Sequence, residues 1–350
     1  MSTMKAIVVK NGKGDADSLY ISDSEPIPGP PAAGQAVVKI TAFALNRMDV
    51  LQREGNYPLP PHAPSTLGVE FAGFVSALGP SETSSFAVGD AVFGLAVGGA
   101  YAEYIICDTR LLTKYPSDVP DNKLSFLAAA GVPEVWYTAT QALLYIAEIH
   151  KNKENVKNVL IHAGASGVGL AALQIARSIL GPEAKIFATV GSDKKVQALQ
   201  EIVRCTPINY NKQSFVDEVL KATDNKGADV IVDFIGPAYF QKNLDVAAVD
   251  GRIVLLSLMS GVISDKINIG TMLRKRLRIE GSTLRSRSVP YQTELKKLFE
   301  EYCLPKLLSG EFVNRIDKVY NYTEIVEAHK YMESNASMGK IVCIVDDTMP

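Results

Sequence analysis

The sequence predicts an α/β protein in two parts: a β-rich, barrel-like unit, then a parallel sheet flanked by helices. Three observations carry that reading. Residues 4 to 110 run as short strands broken by Gly and Pro, among them Ala36-Val37-Val38-Lys39-Ile40 and Ala100-Tyr101-Ala102-Glu103-Tyr104-Ile105-Ile106. Around Ser125 the chain turns Ala-rich and helical, and from Val156 strands alternate with amphipathic helices, the order that a parallel sheet requires. A chain of 350 residues also exceeds what one compact core usually holds.

In the second part, strands are expected at Val156 to His162, Lys185 to Val190, Ala228 to Ile235 and Gly251 to Leu258, with helices starting near Val168, Asp193, Ser214 and Ala238. Beyond a helical stretch from Tyr291 to Ser309, the tail offers an amphipathic helix, Thr323 to Met332, and a strand, Lys340 to Val345, placed to rejoin the first part.

The balance of 36 Lys+Arg against 38 Asp+Glu gives no bulk attraction for nucleic acid or an anionic membrane. Apolar residues make up 47% of the chain, yet none of its stretches reaches the ~18 uninterrupted apolar residues of a membrane span. With no signal-like or Arg-rich start, a soluble cytoplasmic protein acting on a small molecule is expected. Cys107, Cys205, Cys303 and Cys343 are widely spaced without CxxC pairing and read as reduced, structural thiols.

The most informative segment follows the strand Val159-Leu160-Ile161-His162. There Ala163-Gly164-Ala165-Ser166-Gly167-Val168-Gly169 leads into a helix with apolar residues at Val168, Ala171, Ala172, Ile175 and Ile179. A turn lacking Cβ atoms lets main-chain N–H groups approach a pyrophosphate, and the helix presents its positive end to it. Gly-rich turns also arise for packing, but the strand–turn–helix context favours a dinucleotide. A nucleophile elbow would need glycine where Val168 stands, so Ser166 is a poor hydrolase nucleophile.

The next strand ends Val190-Gly191-Ser192, followed by Lys194 and Lys195. An uncharged Gly-Ser with adjacent ammonium groups suits the 2′-phosphate of NADPH, where an acidic residue would favour NADH. Asp193 sits in the same turn and either opposes that choice or caps the next helix.

Three segments resemble the medium-chain dehydrogenase/reductase superfamily, and within it the quinone oxidoreductase group. They are Ala44-Leu45-Asn46-Arg47-Met48-Asp49 with Gly55-Asn56-Tyr57-Pro58; Leu67-Gly68-Val69-Glu70-Phe71-Ala72-Gly73; and His162 to Gly169. The resemblance implies a GroES-like β-barrel catalytic domain from residues 1–129 and 301–350, and a doubly wound Rossmann domain from 130–300. It implies that Asn46 and Thr138 border the nicotinamide and that Gly164, Ser166, Gly167 and Val168 hold the phosphates. Gly191, Ser192, Lys195 and Tyr210 would take the adenosine end. Main-chain positions at Leu258, Met259, Thr283 and Leu284 would line the nicotinamide channel. A homodimer is also implied.

Zinc enzymes of this superfamily carry a Cys near the position of Arg47 and a His in Gly-His-Glu, which here reads Gly68-Val69-Glu70, so no zinc is expected. His62, His150, His162 and His329 are scattered and rescue no site. Without a Lewis acid, reducing an activated acceptor is easier than oxidising an alcohol. A quinone needs little beyond alignment over the nicotinamide, with Asn46 and Tyr57 the nearest side chains to act and Asp49 a structural carboxylate. The alternatives are an enoyl or alkenal reductase, in which Tyr57 would donate a proton to an unsaturated carbonyl, and a low-turnover NADPH sensor or RNA-binding protein. The latter would be anchored at Arg274-Lys275-Arg276-Leu277-Arg278, a run without interleaved aromatics and more simply a solvated edge.

Overall fold

The computed structural model describes residues 2–80, 85–117, 119–264 and 266–346. The chain divides into two compact units: Met1–Tyr137 with Leu284–Pro350, and Thr138–Thr283. Sequence texture puts the junctions at 130 and 300 instead. The later junction differs because the helix Val289–Tyr302 belongs to the first unit, burying Leu295 and Phe299 there with Phe299 set 5.0 Å from the Tyr137 ring.

The first unit begins with the antiparallel pair β1 (Thr3–Val9) and β2 (Leu19–Pro26). It continues through β3 (Gln35–Ala44), α1 (Arg47–Arg53), β4 (Glu70–Leu78), β5 (Ala91–Leu95), β6 (Tyr104–Asp108), β7 (Leu112–Lys114), α2 (Phe126–Ala129) and α3 (Pro133–Thr140), the last running past the junction. Ser125 caps α2, its Oγ accepting from the Ala128 amide, which explains the change of texture there.

Among the described residues the second unit holds six strands: β8 (Asn158–Ile161), β9 (Lys185–Val190), β10 (Thr206–Asn209), β11 (Ala228–Asp233), β12 (Ala247–Leu255) and β13 (Arg278–Gly281). They form one parallel sheet in the order β10-β9-β8-β11-β12-β13. Helices α4 (Gly167–Leu180), α5 (Asp193–Ile202), α6 (Phe215–Ala222), α7 (Pro237–Val246) and α8 (Ile269–Lys275) connect them. This is a doubly wound arrangement, whose ligand position lies where the chain leaves the central strand in opposite directions. That strand is β8. Val159, Leu160 and Ile161 are wholly buried, as covered parallel strands require. Sequence reading overlooks β10 and β13 because they are edge strands: Thr206-Pro207-Ile208-Asn209 includes a proline tolerable only at an edge, and Arg278-Ile279-Glu280-Gly281 is polar.

The tail supplies α9 (Val289–Tyr302), α10 (Leu304–Ser309), β14 (Ile316–Asn321), α11 (Ile325–Glu333) and β15 (Lys340–Ile344) to the first unit. The expected single helix from Tyr291 to Ser309 breaks at Cys303, with Pro305 opening the second piece. Here β15 pairs antiparallel with β3, Val342 opposite Ala44, completing the sheet order β14-β15-β3-β4-β5-β7 with β6 also on β3. Its core includes Val38, Ile40, Phe71, Val75, Ile105 and Ile341. Among the described residues no helix is long and apolar enough to cross a membrane.

Candidate functional site

In the second unit, β8 gives way to a turn that opens at Ala163, whose φ of 48° is left-handed and strained for a residue with a Cβ. Gly164 and Gly169 are there for close packing: a Cβ at Gly164 would lie 2.7 Å from Ala188 Cβ, and one at Gly169 would collide with the Ala163 carbonyl. Ser166 caps α4, its Oγ accepting from the Gly169 amide at 3.1 Å. The amides of Gly167 and Val168 occupy the first two helical positions, where the helix's own ladder provides no acceptor. Both residues are half-buried. A phosphate fits these donors and the positive helix end.

At the end of β9, Ser192 caps α5 by accepting from the Lys195 amide at 3.3 Å, so the cap, one of the two roles open to Asp193, belongs to its neighbour. Asp193 is instead held by Asn209 Nδ2 at 2.7 Å and Lys212 Nζ at 2.5 Å. Both bonds stabilise its charged form and hold its carboxyl below the usual range. Tyr210 covers Gly191 so closely that a Cβ there would lie 2.6 Å from Tyr210 Oη. Thus Gly191, Ser192, Lys195 and Tyr210 do gather at one end of the sheet.

Leu258 and Met259 are exposed, with Met259 N–H donating to Phe234 O. Thr283 is exposed and its carbonyl accepts from Gln141 Nε2, while Leu284 is buried with its carbonyl accepting from Gln292 Nε2. Thr138 is half-buried on α3. The junctions put Asn46 and Leu284 in the first unit, and Thr138 and Thr283 in the second.

The first unit gathers charge. Asn46 precedes α1, and its amide donates to Asp49 Oδ2 at 2.8 Å. Its side chain is engaged at both ends, Nδ2 donating to Glu70 Oε1 at 2.8 Å and Oδ1 accepting from Lys340 Nζ at 2.8 Å. The antiparallel register of β15 on β3 carries Lys340 to this place. There its Nζ also reaches Leu45 O at 2.8 Å and Glu70 Oε1 at 2.7 Å. Glu70 and Lys340 are both buried. The other oxygen of Glu70 accepts from the Glu134 amide at 2.9 Å. Asp49 also accepts from the Gly68 amide and from Tyr101 Oη, and burial pushes its carboxyl up to about 6.

Glu134 follows Pro133 at the start of α3. It is 6% exposed, and its Oε2 is buried with no hydrogen-bond partner among the described residues. Burial, reinforced by the charge of Glu70, raises its carboxyl to about 8. Arg285 donates to Val97 O and Gln52 Oε1, and its guanidinium lies 5.3 Å from the centre of the Tyr57 ring. Burial raises the Tyr57 hydroxyl above its ordinary value, with Glu134 adding to the effect. Beside Arg285 lies a cavity of about 540 Å³, bordered also by His62, Pro64, Val97, Gly98 and Gln292.

Residues 167–301 match the family model described as zinc-binding dehydrogenase, and residues 32–117 that of the alcohol dehydrogenase GroES-like domain. The chain is 28% identical over 321 residues to a quinone oxidoreductase of Lama guanicoe, covering 90% of each protein. Its fold is similar to that of Escherichia coli quinone oxidoreductase in complex with NADPH (TM-score 0.79, 26% identity, 98% of this chain and 100% of that one). It is equally similar to the CurK enoyl reductase (TM-score 0.78, 26% identity, 98% and 99% covered). The chain belongs to the medium-chain dehydrogenase/reductase family.

In this dehydrogenase/reductase the donor set does not fit zinc. Val69 occupies the middle of Gly68-Val69-Glu70, and Glu70 is committed to Lys340, Asn46 and the Glu134 amide. Among the described residues no group of three or more His, Cys, Asp or Glu could hold a metal ion. His162 is buried between Thr189 Oγ1 and Asn243 Oδ1, and His329 between Arg53 and Tyr101. His62 lies on an exposed turn and His150 is half-buried. All four cysteines are free. Within the basic run, Lys275 Nζ bonds the carbonyls of Leu244, Asp245 and Ala247, and Arg276 forms a bidentate pair with Asp250.

Sequence reading misses Glu134, Lys340 and Arg285. One signal was available: Glu134 is the sole charge within Phe126-Leu127-Ala128-Ala129-Ala130-Gly131-Val132-Pro133-Glu134-Val135-Trp136-Tyr137, too apolar a run for a solvated carboxylate.

Proposed function

We propose that this protein reduces quinones with NADPH by zinc-free hydride transfer, the open helix end at Gly167 and Val168 being the observation that carries the reading. When bound, NADPH supplies the hydride. The protein's residues bind and orient: the Gly167 and Val168 amides take the pyrophosphate, and Ser192 and Lys195 take the 2′-phosphate. Lys212 and Asn209 support that choice by occupying the Asp193 carboxylate, a negative charge in the same turn. Thr138, Gly164, Ser166, Gly191, Tyr210, Leu258, Met259, Thr283 and Leu284 complete the proposed cofactor contacts. In the first unit Asn46, pinned by Glu70 and Lys340, provides a rigid polar edge, and Tyr57 over Arg285 gives the acceptor an aromatic face. The likeness to quinone oxidoreductases on both comparisons supports a quinone acceptor.

A second reading, reduction of an unsaturated carbonyl, is supported by the likeness to CurK enoyl reductase and requires a proton donor. Loss of reduced-nicotinamide absorbance should be followed with 1,2-naphthoquinone, 1,4-benzoquinone and trans-2-hexenal, each with NADPH and NADH. Quinone turnover preferring NADPH is expected. Turnover of the alkenal alone moves the assignment to the second reading, and NADPH binding without turnover of any acceptor leaves a cofactor-dependent sensor.

A further inference from the structure

Glu134 stands out because no hydrogen bond among the described residues reaches its buried Oε2. Its charged surroundings comprise Glu70 on β4, Asp49 on α1, Lys340 on β15 and Arg285 preceding α9, with the Tyr57 hydroxyl close enough to feel it. Three carboxyl groups therefore face two cations. Glu70 takes Lys340 at 2.7 Å, and Asp49 is satisfied by two amides and the Tyr101 hydroxyl. Glu134 lends only its main-chain N–H to this network, to Glu70, and its Oε2 is left buried without a partner. An ionised carboxylate so placed is costly, whereas a neutral acid balances the cluster's charge.

We propose that Glu134 rests as a neutral carboxylic acid and supplies the proton of the reduction, a step that depends on the reductase reading above. The hydride pair from the nicotinamide reduces the quinone to a hydroquinone monoanion. The Glu134 O–H bond breaks and an O–H bond forms on the anionic acceptor oxygen. The carboxylate left behind gives the cluster a net negative charge, and it is reprotonated from water. The same step would deliver the α proton to an unsaturated carbonyl, so both acceptor classes draw on one buried acid.

Infrared titration of the full-length, cofactor-free protein tests the resting state without turnover. Above pH 7, where Asp49 and Asp233, each raised to about 6, have ionised, a carboxylic-acid C=O stretch should persist and disappear near pH 8. Glu134→Gln should abolish that band. With NADPH and 1,2-naphthoquinone, the same variant should lower kcat roughly 10–100-fold and flatten the fall in rate at alkaline pH. Absence of the band from wild type overturns the proposal whether or not the variant folds, and so does a variant that keeps the wild-type rate and pH profile. A wild type that shows the band but reduces no acceptor overturns the reductase reading, and the delivery step with it.

Discussion

The phosphate turn and the carboxylate cluster handle polarity in opposite ways. Around Gly167 and Val168 the protein places main-chain donors at a helix start in half-buried residues. Around Glu70 it buries full charges and meets most of them with partners drawn from the residue preceding α1, from α3 and from β15. The first arrangement is cheap, since water satisfies the donors until a ligand replaces it. The second is poised, because every partner removed strands another buried group. A site made of open backbone depends on the room left around it, and a site made of buried charge depends on every partner it has.

That contrast predicts a ranking of effects. Lys340→Met should be the most damaging, costing about 3–5 kcal/mol in a denaturant titration by leaving Glu70 buried without its cation; a loss below about 1 kcal/mol would remove the distinction drawn here. Gly169→Ala should cost about 1–3 kcal/mol, because its Cβ has no room beside the Ala163 carbonyl, and should weaken NADPH binding measured by calorimetry. Lys195→Ala should raise the Kd for NADPH about tenfold, roughly 1.4 kcal/mol, and leave NADH binding unchanged. Equal loss for both cofactors would sink the 2′-phosphate assignment.

Two buried groups, Glu134 and His162, should give stability opposite dependences on pH. Glu134 is raised from 4.5 to about 8, so the folded chain holds a proton that the unfolded chain has released. Its contribution to stability therefore falls as pH climbs from about 4.5 to about 8. In the second unit burial lowers His162 from 6.5 to about 4, so the unfolded chain takes up the proton first and stability is lost as pH falls through that window. Melting temperatures across both windows should show Glu134→Gln removing the alkaline slope and sparing the acid one. The smallest effect belongs to Tyr57→Phe, which should change kcat for 1,2-naphthoquinone less than about threefold, since the ring over Arg285 is kept and the proton comes from elsewhere.

How far each region could be read from sequence follows from the same physics. The turn is local: six consecutive residues determine strand exit, helix cap and glycine packing, so Gly164 to Gly169 was legible, as were the covered strands β8, β9 and β11. The cluster joins residues separated by up to 295 positions, as in the Lys340–Leu45 bond. Nothing near Lys340 in sequence distinguishes it from a surface lysine. The role of Asp193 stayed open because only tertiary contacts with Asn209 and Lys212 show where its charge goes. The edge strands β10 and β13 were illegible because a strand with one neighbour need not be apolar.

The position of Lys340 also sets an order of assembly. Asp49 and Glu70 are synthesised long before the lysine that balances them, with all of Thr138–Thr283 lying in between. A growing chain can complete the second unit while the first still lacks β15. The first unit closes only when β15 aligns beside β3 and brings its ammonium group to the waiting carboxylate.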